Sequence, residues 1–218
     1  MEGCARGGGW RERVDVFPFP NLCIFLVETD LKSSMRQTNS YDSDGWPEIA
    51  LVGDLTENQS QLAGQLLEIP PGGECILYFD SLGGSPYCAV ALTSLILLRG
   101  LRATGIVAGE CSSAALWPFA ACNRRLVTPY SVLLFHPMKW QSEENVGFAE
   151  AAEWARHFSH LEAEMDRLLA ELFHVSEETL RAWTNPGRYV SGPELAEAGL
   201  AELVELKPLD WLRRKRRK

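Results

Sequence analysis

Short apolar segments alternate with longer amphipathic segments along the chain from Pro47 onward. Short apolar runs predict buried strands, because a strand covered on both faces has no solvent-facing positions to fill with polar residues. They are Ile49–Val52, Cys75–Phe79, Gly105–Ala108, Arg125–Thr128, Val132–Phe135 and Leu200–Leu206. The alternation of strands with amphipathic helices predicts an α/β domain with a mostly parallel sheet.

Residues that favour helix starts lie at the beginning of several predicted helices. Thr56 is expected to cap the first helix, and Ser85 the second, with Pro86 at its first position. An apolar helix is expected from Ala114 to about Cys122. Ser176 is expected to cap a short helix, and Ser191 a further one. Ser191 and Glu194 have the spacing of a capping box.

The longest amphipathic segment follows Ser142, which is its expected cap. Its apolar residues recur at steps of three and four, and they are Phe148, Ala152, Ala155, Phe158, Leu161, Met165, Leu168 and Leu172. About 30 residues with a rise of 1.5 Å each make a rod of about 45 Å. Such a rod either projects and packs against another chain or lies across its own core, and the first arrangement predicts oligomerisation.

The two ends of the chain depart from the pattern. Residues 1–46 are expected to form a partly flexible extension, in which Phe17–Val27 is a strand or a docking segment. The N-terminus has no apolar stretch behind its charges, which predicts no secretory signal. Residues 207–218 form a tail that ends in the basic run Arg213–Lys218. This run is either a solubilising tail or a contact for an acidic partner or nucleic acid.

The composition is that of a soluble globular protein. Of the 218 residues, 46% are hydrophobic and 23% are charged, and no apolar stretch is long enough to span a bilayer. The net charge of −8 argues against a general nucleic-acid binder. The six cysteines show no metal-binding spacing and are interpreted as mostly buried free thiols of a cytoplasmic protein. No cofactor or metal motif is found.

Two junctions between a strand and a helix carry residues suited to catalysis. Gly83 and Gly84 follow one strand, and their bare backbone allows a substrate to come close. Ser113 follows the next strand at a helix start, and His136 ends a later one. Because ligands bind at the carboxyl ends of parallel strands, these residues are expected to meet. A serine, a histidine and exposed backbone N–H groups are the parts of a serine hydrolase.

The residues around these junctions resemble the Clp protease proteolytic subunit (ClpP) family of serine peptidases, within the crotonase-like superfamily. The similar segments are SLGGS at Ser81–Ser85, GECSSAA at Gly109–Ala115, FHP at Phe135–Pro137, YVSGPE at Tyr189–Glu194 and AGL at Ala198–Leu200. They cover about residues 47–206 in the family's order and at nearly its spacing. The resemblance implies repeated ββα units and a peptidase domain over residues 47–206, with a projecting long handle helix.

The resemblance also implies a role for each matching residue. Ser113 is the expected nucleophile, His136 the general base, and the N–H groups of Gly84 and Ala114 the oxyanion-hole donors. The expected substrate-binding residues are Gly83, Ser85 and Pro86. The implied assembly is a double heptameric ring of this chain, or a mixed ring with another ClpP-type subunit. A ring ATPase of the AAA+ unfoldase class would feed it polypeptide substrates, without membrane attachment.

One position departs from the family. The aspartate that completes the catalytic triad would align with Gly187, which has no side chain to orient an imidazole. Asn185 is the possible third triad member, with water or a backbone carbonyl as alternatives. Asp166 falls on the rod and Asp210 in the tail, so neither is a natural substitute for the missing aspartate. We expect Gly187→Asp to raise the rate unless Asn185 already fills the role.

Three functions are therefore compatible with the sequence. The first is an active Clp-type serine endopeptidase. The second is a weakly active or inactive paralogue with a structural or regulatory role in a mixed ring, suggested by Gly187 and by the lack of glycine in Met138–Glu144. The third is a crotonase-like protein acting on acyl thioesters.

Overall fold

A computed structural model of the chain describes residues 45–141 and 145–206. Within these ranges it is an α/β fold with one mostly parallel mixed sheet, which confirms the fold class predicted from the alternation of strands and helices. The strands are Glu48–Asp54 (β1), Glu74–Gly83 (β2), Arg102–Ser112 (β3), Arg124–Val127 (β4), Val132–Phe135 (β5), Arg188–Ser191 (β6) and Glu202–Leu203 (β7). The helices are Leu55–Glu68 (α1), Pro86–Leu98 (α2), Leu116–Ala120 (α3), Phe148–Phe173 (α4), Glu177–Thr184 (α5) and Gly192–Glu197 (α6). The predictions for Phe17–Val27 and Arg213–Lys218 lie outside the described residues.

The sheet forks at β3. Strands β1, β2, β3, β4 and β7 lie side by side in that order and are all parallel. The first part of β3, Thr104–Val107, pairs with β4, whereas its last part, Glu110–Ser112, pairs with β5. Strand β6 then joins β5 in antiparallel orientation. The sequence pattern did not predict β6, and it predicted β7 longer than the two residues observed.

A single large core cluster joins the sheet to its helices. The rings of Phe79 and Phe119 meet edge to face with 5.4 Å between their centroids, and Phe135 packs against Phe173 and Trp183. Burial of each such ring stabilises the fold by about 1.5–3 kcal/mol, which makes this cluster the main anchor of the strand ends. The four described cysteines are buried and free, as predicted.

Three of the four predicted helix caps that lie within the described residues are confirmed. The hydroxyls of Ser85, Ser176 and Ser191 each accept a backbone N–H bond, and Ser191 and Glu194 complete a capping box. The predicted cap at Thr56 is wrong. Asp54, two residues earlier, caps α1 instead, and its carboxylate accepts the N–H of Thr56 at 2.8 Å.

The long helix α4 starts later than the sequence predicts. It begins at Phe148 after Gly147, and the predicted cap Ser142 lies outside the described residues. Phe148, the first residue of the predicted apolar face, is 92% exposed. The buried residues lie near the end of the helix, and they are Met165, Leu169, Ala170 and Phe173. This half of α4 therefore packs on its own domain, which was one of the two alternatives.

No helix in residues 45–141 and 145–206 combines the length and apolar character needed to cross a bilayer.

Candidate active site

The register of β3 and β5 brings Ser113 and His136 to neighbouring strand ends. Ser112 pairs with Leu134 in parallel, and adjacent strands lie about 4.8 Å apart. Ser113 and His136 follow directly on these two ends, and both line the same cavity. The fork in the sheet therefore produces the meeting of serine and histidine that the sequence predicted.

The glycine pair closes the site from the side of β2. Gly83 has φ +104°, and a Cβ on it would lie 2.7 Å from the Cβ of Ser113 and 2.8 Å from the backbone nitrogen of Ala114. Gly84 has φ +152°, and a Cβ on it would lie 2.5 Å from Oγ1 of Thr56. Both positions require glycine, because a side chain would separate this backbone from its neighbours.

Thr56 holds the glycine loop, which is formed by Gly83 and Gly84, in place through a hydrogen bond to the residue that follows it. Its Oγ1 accepts the N–H of Ser85 at 2.6 Å, which joins the start of α2 to the start of α1. The N–H of Ser85 is therefore engaged with Thr56, and Ser85 does not line the cavity. Pro86 does line the cavity, together with Gly84.

The backbone of Ser113 is strained. Its φ is +53°, in the left-handed region that a residue with a side chain enters at a cost of about 1–2 kcal/mol. Ser112 extends β3, and its hydroxyl donates to Glu110 at 2.5 Å, so neither serine acts as an ordinary helix cap. A serine on a strained turn between a strand and a helix is the arrangement that exposes the nucleophile in α/β-hydrolases.

The imidazole of His136 is held by a backbone group. Its Nδ1 lies 2.6 Å from the carbonyl oxygen of Pro137. A carbonyl oxygen only accepts hydrogen bonds, so Nδ1 carries the proton and Nε2 keeps a free lone pair. This is the tautomer that a general base requires when its Nε2 faces a hydroxyl.

A cavity of about 190 Å³ joins these groups. Five of the sequence-predicted site residues line it, and they are Gly84, Pro86, Ser113, Ala114 and His136. Its volume is below the roughly 300–1,000 Å³ of pockets that hold whole drug-sized ligands. The cavity therefore suits one side chain of a larger substrate.

Gly187 lies against the histidine, as its alignment with the triad position implies. Phe135 pairs with Arg188, and a Cβ on Gly187 would lie 3.1 Å from the Cβ of His136. Asn185 is exposed and ends α5, and its side chain makes no hydrogen bond to the residues described. Thr184, the residue before it, lines the cavity instead. The structure thus holds His136 through a carbonyl, one of the alternatives to Asn185.

Asp166 lies on the long helix α4, as expected, and it lines the cavity. The second half of α4 covers the cavity, where Glu162 and Asp166 both line the wall. Two hydrogen bonds fix the helix there. The indole of Trp117 donates to the carbonyl of Met165 at 2.8 Å, and the N–H of Met138 donates to Glu162 at 2.6 Å. The position of α4 over the strand ends depends on long-range packing, so the sequence did not show that Asp166 lines the cavity.

One sequence signal could have found these carboxylates. Glu162 and Asp166 are four residues apart and lie on one side of a helix, next to the apolar residue Met165. Acidic side chains that border a buried stripe are costly unless they serve a site. Within the described ranges, no group of three or more histidine, cysteine or acidic residues is placed to bind a metal ion.

No model of a known protein family matches this sequence.

Proposed function

We propose that this chain is a Clp-type serine endopeptidase subunit that hydrolyses unfolded polypeptides. The observation that carries the proposal is the convergence of Ser113 and His136 in one cavity beside the glycine loop. The strained φ of Ser113 and the tautomer imposed on His136 support the roles of nucleophile and base. The similarity of five sequence segments to the ClpP family supplies the choice of peptidase over other hydrolases.

The mechanism follows from these roles. His136 Nε2 takes the proton of the Ser113 hydroxyl as its oxygen attacks a peptide carbonyl. The backbone N–H groups of Gly84 and Ala114 would stabilise the negative charge that develops on the carbonyl oxygen. His136 then donates the proton to the leaving amine, and water cleaves the acyl-enzyme with His136 again as base. The glycine loop would hold an extended substrate through main-chain hydrogen bonds.

The carbonyl of Pro137 is a weaker partner for His136 than a carboxylate. It fixes the tautomer, but it carries no full charge to stabilise the imidazolium that forms during attack. Loss of the aspartate in a serine triad costs about 10⁴-fold in kcat, and the remaining groups still exceed water. We expect slow turnover from the isolated chain. A ring of this chain or a mixed ring, fed by an AAA+ unfoldase, belongs to the proposal.

The test is covalent labelling with a fluorophosphonate probe, located by mass spectrometry. We expect the label on Ser113 and its loss in Ser113→Ala. Ser112→Ala is the matched control, because it removes the adjacent hydroxyl, which is bonded to Glu110 rather than facing the cavity. Absence of label from the folded wild-type chain, or label that persists in Ser113→Ala, would contradict the proposal.

A second candidate function is favoured by the glycine beside His136. Gly187 offers no side chain to the imidazole, as in a subunit that has lost its catalytic role. Such a subunit would occupy positions in a mixed ring beside an active chain. Isolation of the native complex decides, since a ring built from this chain alone would count against a purely structural role.

A further inference from the structure

The cavity beside Ser113 extends toward α4, and its walls there combine two chemistries. Met138, Met165 and Leu169 supply apolar surface, and Asp166 supplies a carboxylate. A long aliphatic side chain with a charged end has the same two parts, since its methylene groups pack on apolar walls while its charge pairs with an acid. The volume of about 190 Å³ suits one such side chain.

Asp166 is available to a ligand, whereas Glu162 is engaged. Glu162 accepts the N–H of Met138, which holds the loop after His136 in place. Asp166 makes no hydrogen bond or ion pair with the residues described, although it is half-buried. A carboxylate in this position loses water contacts without gaining a partner, so a cation that enters the cavity would be attracted to it.

The charges around Asp166 leave the cavity acidic. Burial, as the largest cause, and the nearby charges of Glu162 and Glu177 together raise the pKa of Asp166 to about 6, although Arg181 lowers it. Arg181 lies on α5 and forms no ion pair with Asp166. Lys139 and His136 also line the cavity, and Lys139 is exposed.

We propose that this cavity is a specificity pocket for a lysine or arginine side chain next to the scissile bond, and that Asp166 selects it. The inference rests on the proposed peptidase function, because it assigns the pocket to the residue whose carbonyl Ser113 attacks. An aspartate in the pocket beside a serine nucleophile selects basic side chains in an unrelated class of serine peptidases. Acidic side chains would be rejected by the same charge.

The test compares two fluorogenic peptides that differ at the residue before the scissile bond, lysine in one and norleucine in the other. Norleucine has the lysine stem without its ammonium group. We expect kcat/KM at pH 7.5 to favour lysine by about tenfold or more, mostly through KM. Asp166→Asn should bring the ratio close to one. Glu171→Gln, which removes an exposed charge from the same helix, should leave the ratio unchanged.

The pH dependence of the wild-type ratio provides a second measurement that needs no variant. Any effect of pH on the catalytic step is common to both peptides, so it cancels in the ratio. The lysine preference should then grow from pH 5 to pH 7.5 as Asp166 ionises, with Glu162, Glu177, Arg181 and Lys139 setting the background charge.

The outcomes separate the pocket from the peptidase. Hydrolysis of both peptides at equal kcat/KM, or a ratio that does not change with pH, overturns the pocket and leaves the peptidase standing. An equal fall of kcat for both peptides in Asp166→Asn, with the ratio kept, means that Asp166 acts through His136 and also overturns it. Failure of both hydrolysis and fluorophosphonate labelling overturns both proposals.

Discussion

Asp166→Asn should stabilise the folded chain at neutral pH and lose this effect in acid. The pKa of Asp166 is raised from 3.8 to about 6, chiefly by burial. Between these two values the folded chain binds more protons at this site than the unfolded chain does, so stability falls as the pH rises from about 4 to about 6. Asparagine has a similar shape and no charge, and it removes this penalty.

The size of the effect follows from the shift. A change of about two units corresponds to about 3 kcal/mol at 1.36 kcal/mol per unit. Asp166 retains some contact with solvent, which screens the charge, so we expect a gain of about 1–2 kcal/mol above pH 7. The gain should shrink toward zero near pH 4, where the wild-type carboxyl is protonated in both states.

Urea unfolding followed by circular dichroism at pH 4.5, 6 and 7.5 measures this difference. The comparison between variant and wild type at each pH removes the contribution of every other titrating group. Glu171→Gln serves as the control, since it deletes one charge from an exposed position on the same helix. A gain of equal size at all three pH values would show a packing effect, and a loss at pH 7.5 would refute the desolvation of Asp166.

Three further predictions follow from other parts of the fold. Gly187→Asp should lower stability by about 1–3 kcal/mol and slow hydrolysis, because φ is +113° and the new Cβ would crowd His136. This is the opposite of the sequence-based expectation. Urea unfolding measures the stability and peptide hydrolysis the rate, and a faster enzyme would contradict the prediction. Phe135→Ala should cost about 3–5 kcal/mol in urea unfolding, since the ring is fully buried; a loss below about 1 kcal/mol would show that the cluster does not anchor β5. The thiol of Cys122 should react with a thiol reagent only on unfolding, because burial raises its pKa far above neutral. Fast labelling of Cys122 in the native chain would disprove its burial.

Local signals in the sequence were sufficient for much of the fold. The strand Val132–Phe135 has the bounds that its apolar run predicts, and the capping box at Ser191 is present. These features depend on neighbouring residues alone. Strand β6 was missed because its pattern is weak and its pairing with β5 is a tertiary contact.

In the site too, some features follow from local sequence signals and others depend on tertiary contacts. Ser113, His136 and Gly84 meet because each follows a strand, and parallel strands place such junctions together. Asp166 was not predicted as a site group, and the backbone carbonyl named as an alternative partner of His136 was not assigned to Pro137. The position of Asp166 depends on how α4 crosses the strand ends, and the bond to Pro137 depends on the rotamer of His136. Neither the path of α4 nor the rotamer of His136 can be predicted from the spacing of residues along the chain.

The fork in β3 links the stability of the domain to the evolution of its site. One end of the strand holds the main sheet together through β4, and the other end positions the candidate nucleophile beside β5. A substitution that adjusts the geometry of Ser113 through this strand therefore also acts on the core. Variants that change activity through β3 would also lower the stability of the fold, which is limited. Adaptation should therefore proceed more easily through α4, whose side chains border the cavity without being part of the sheet.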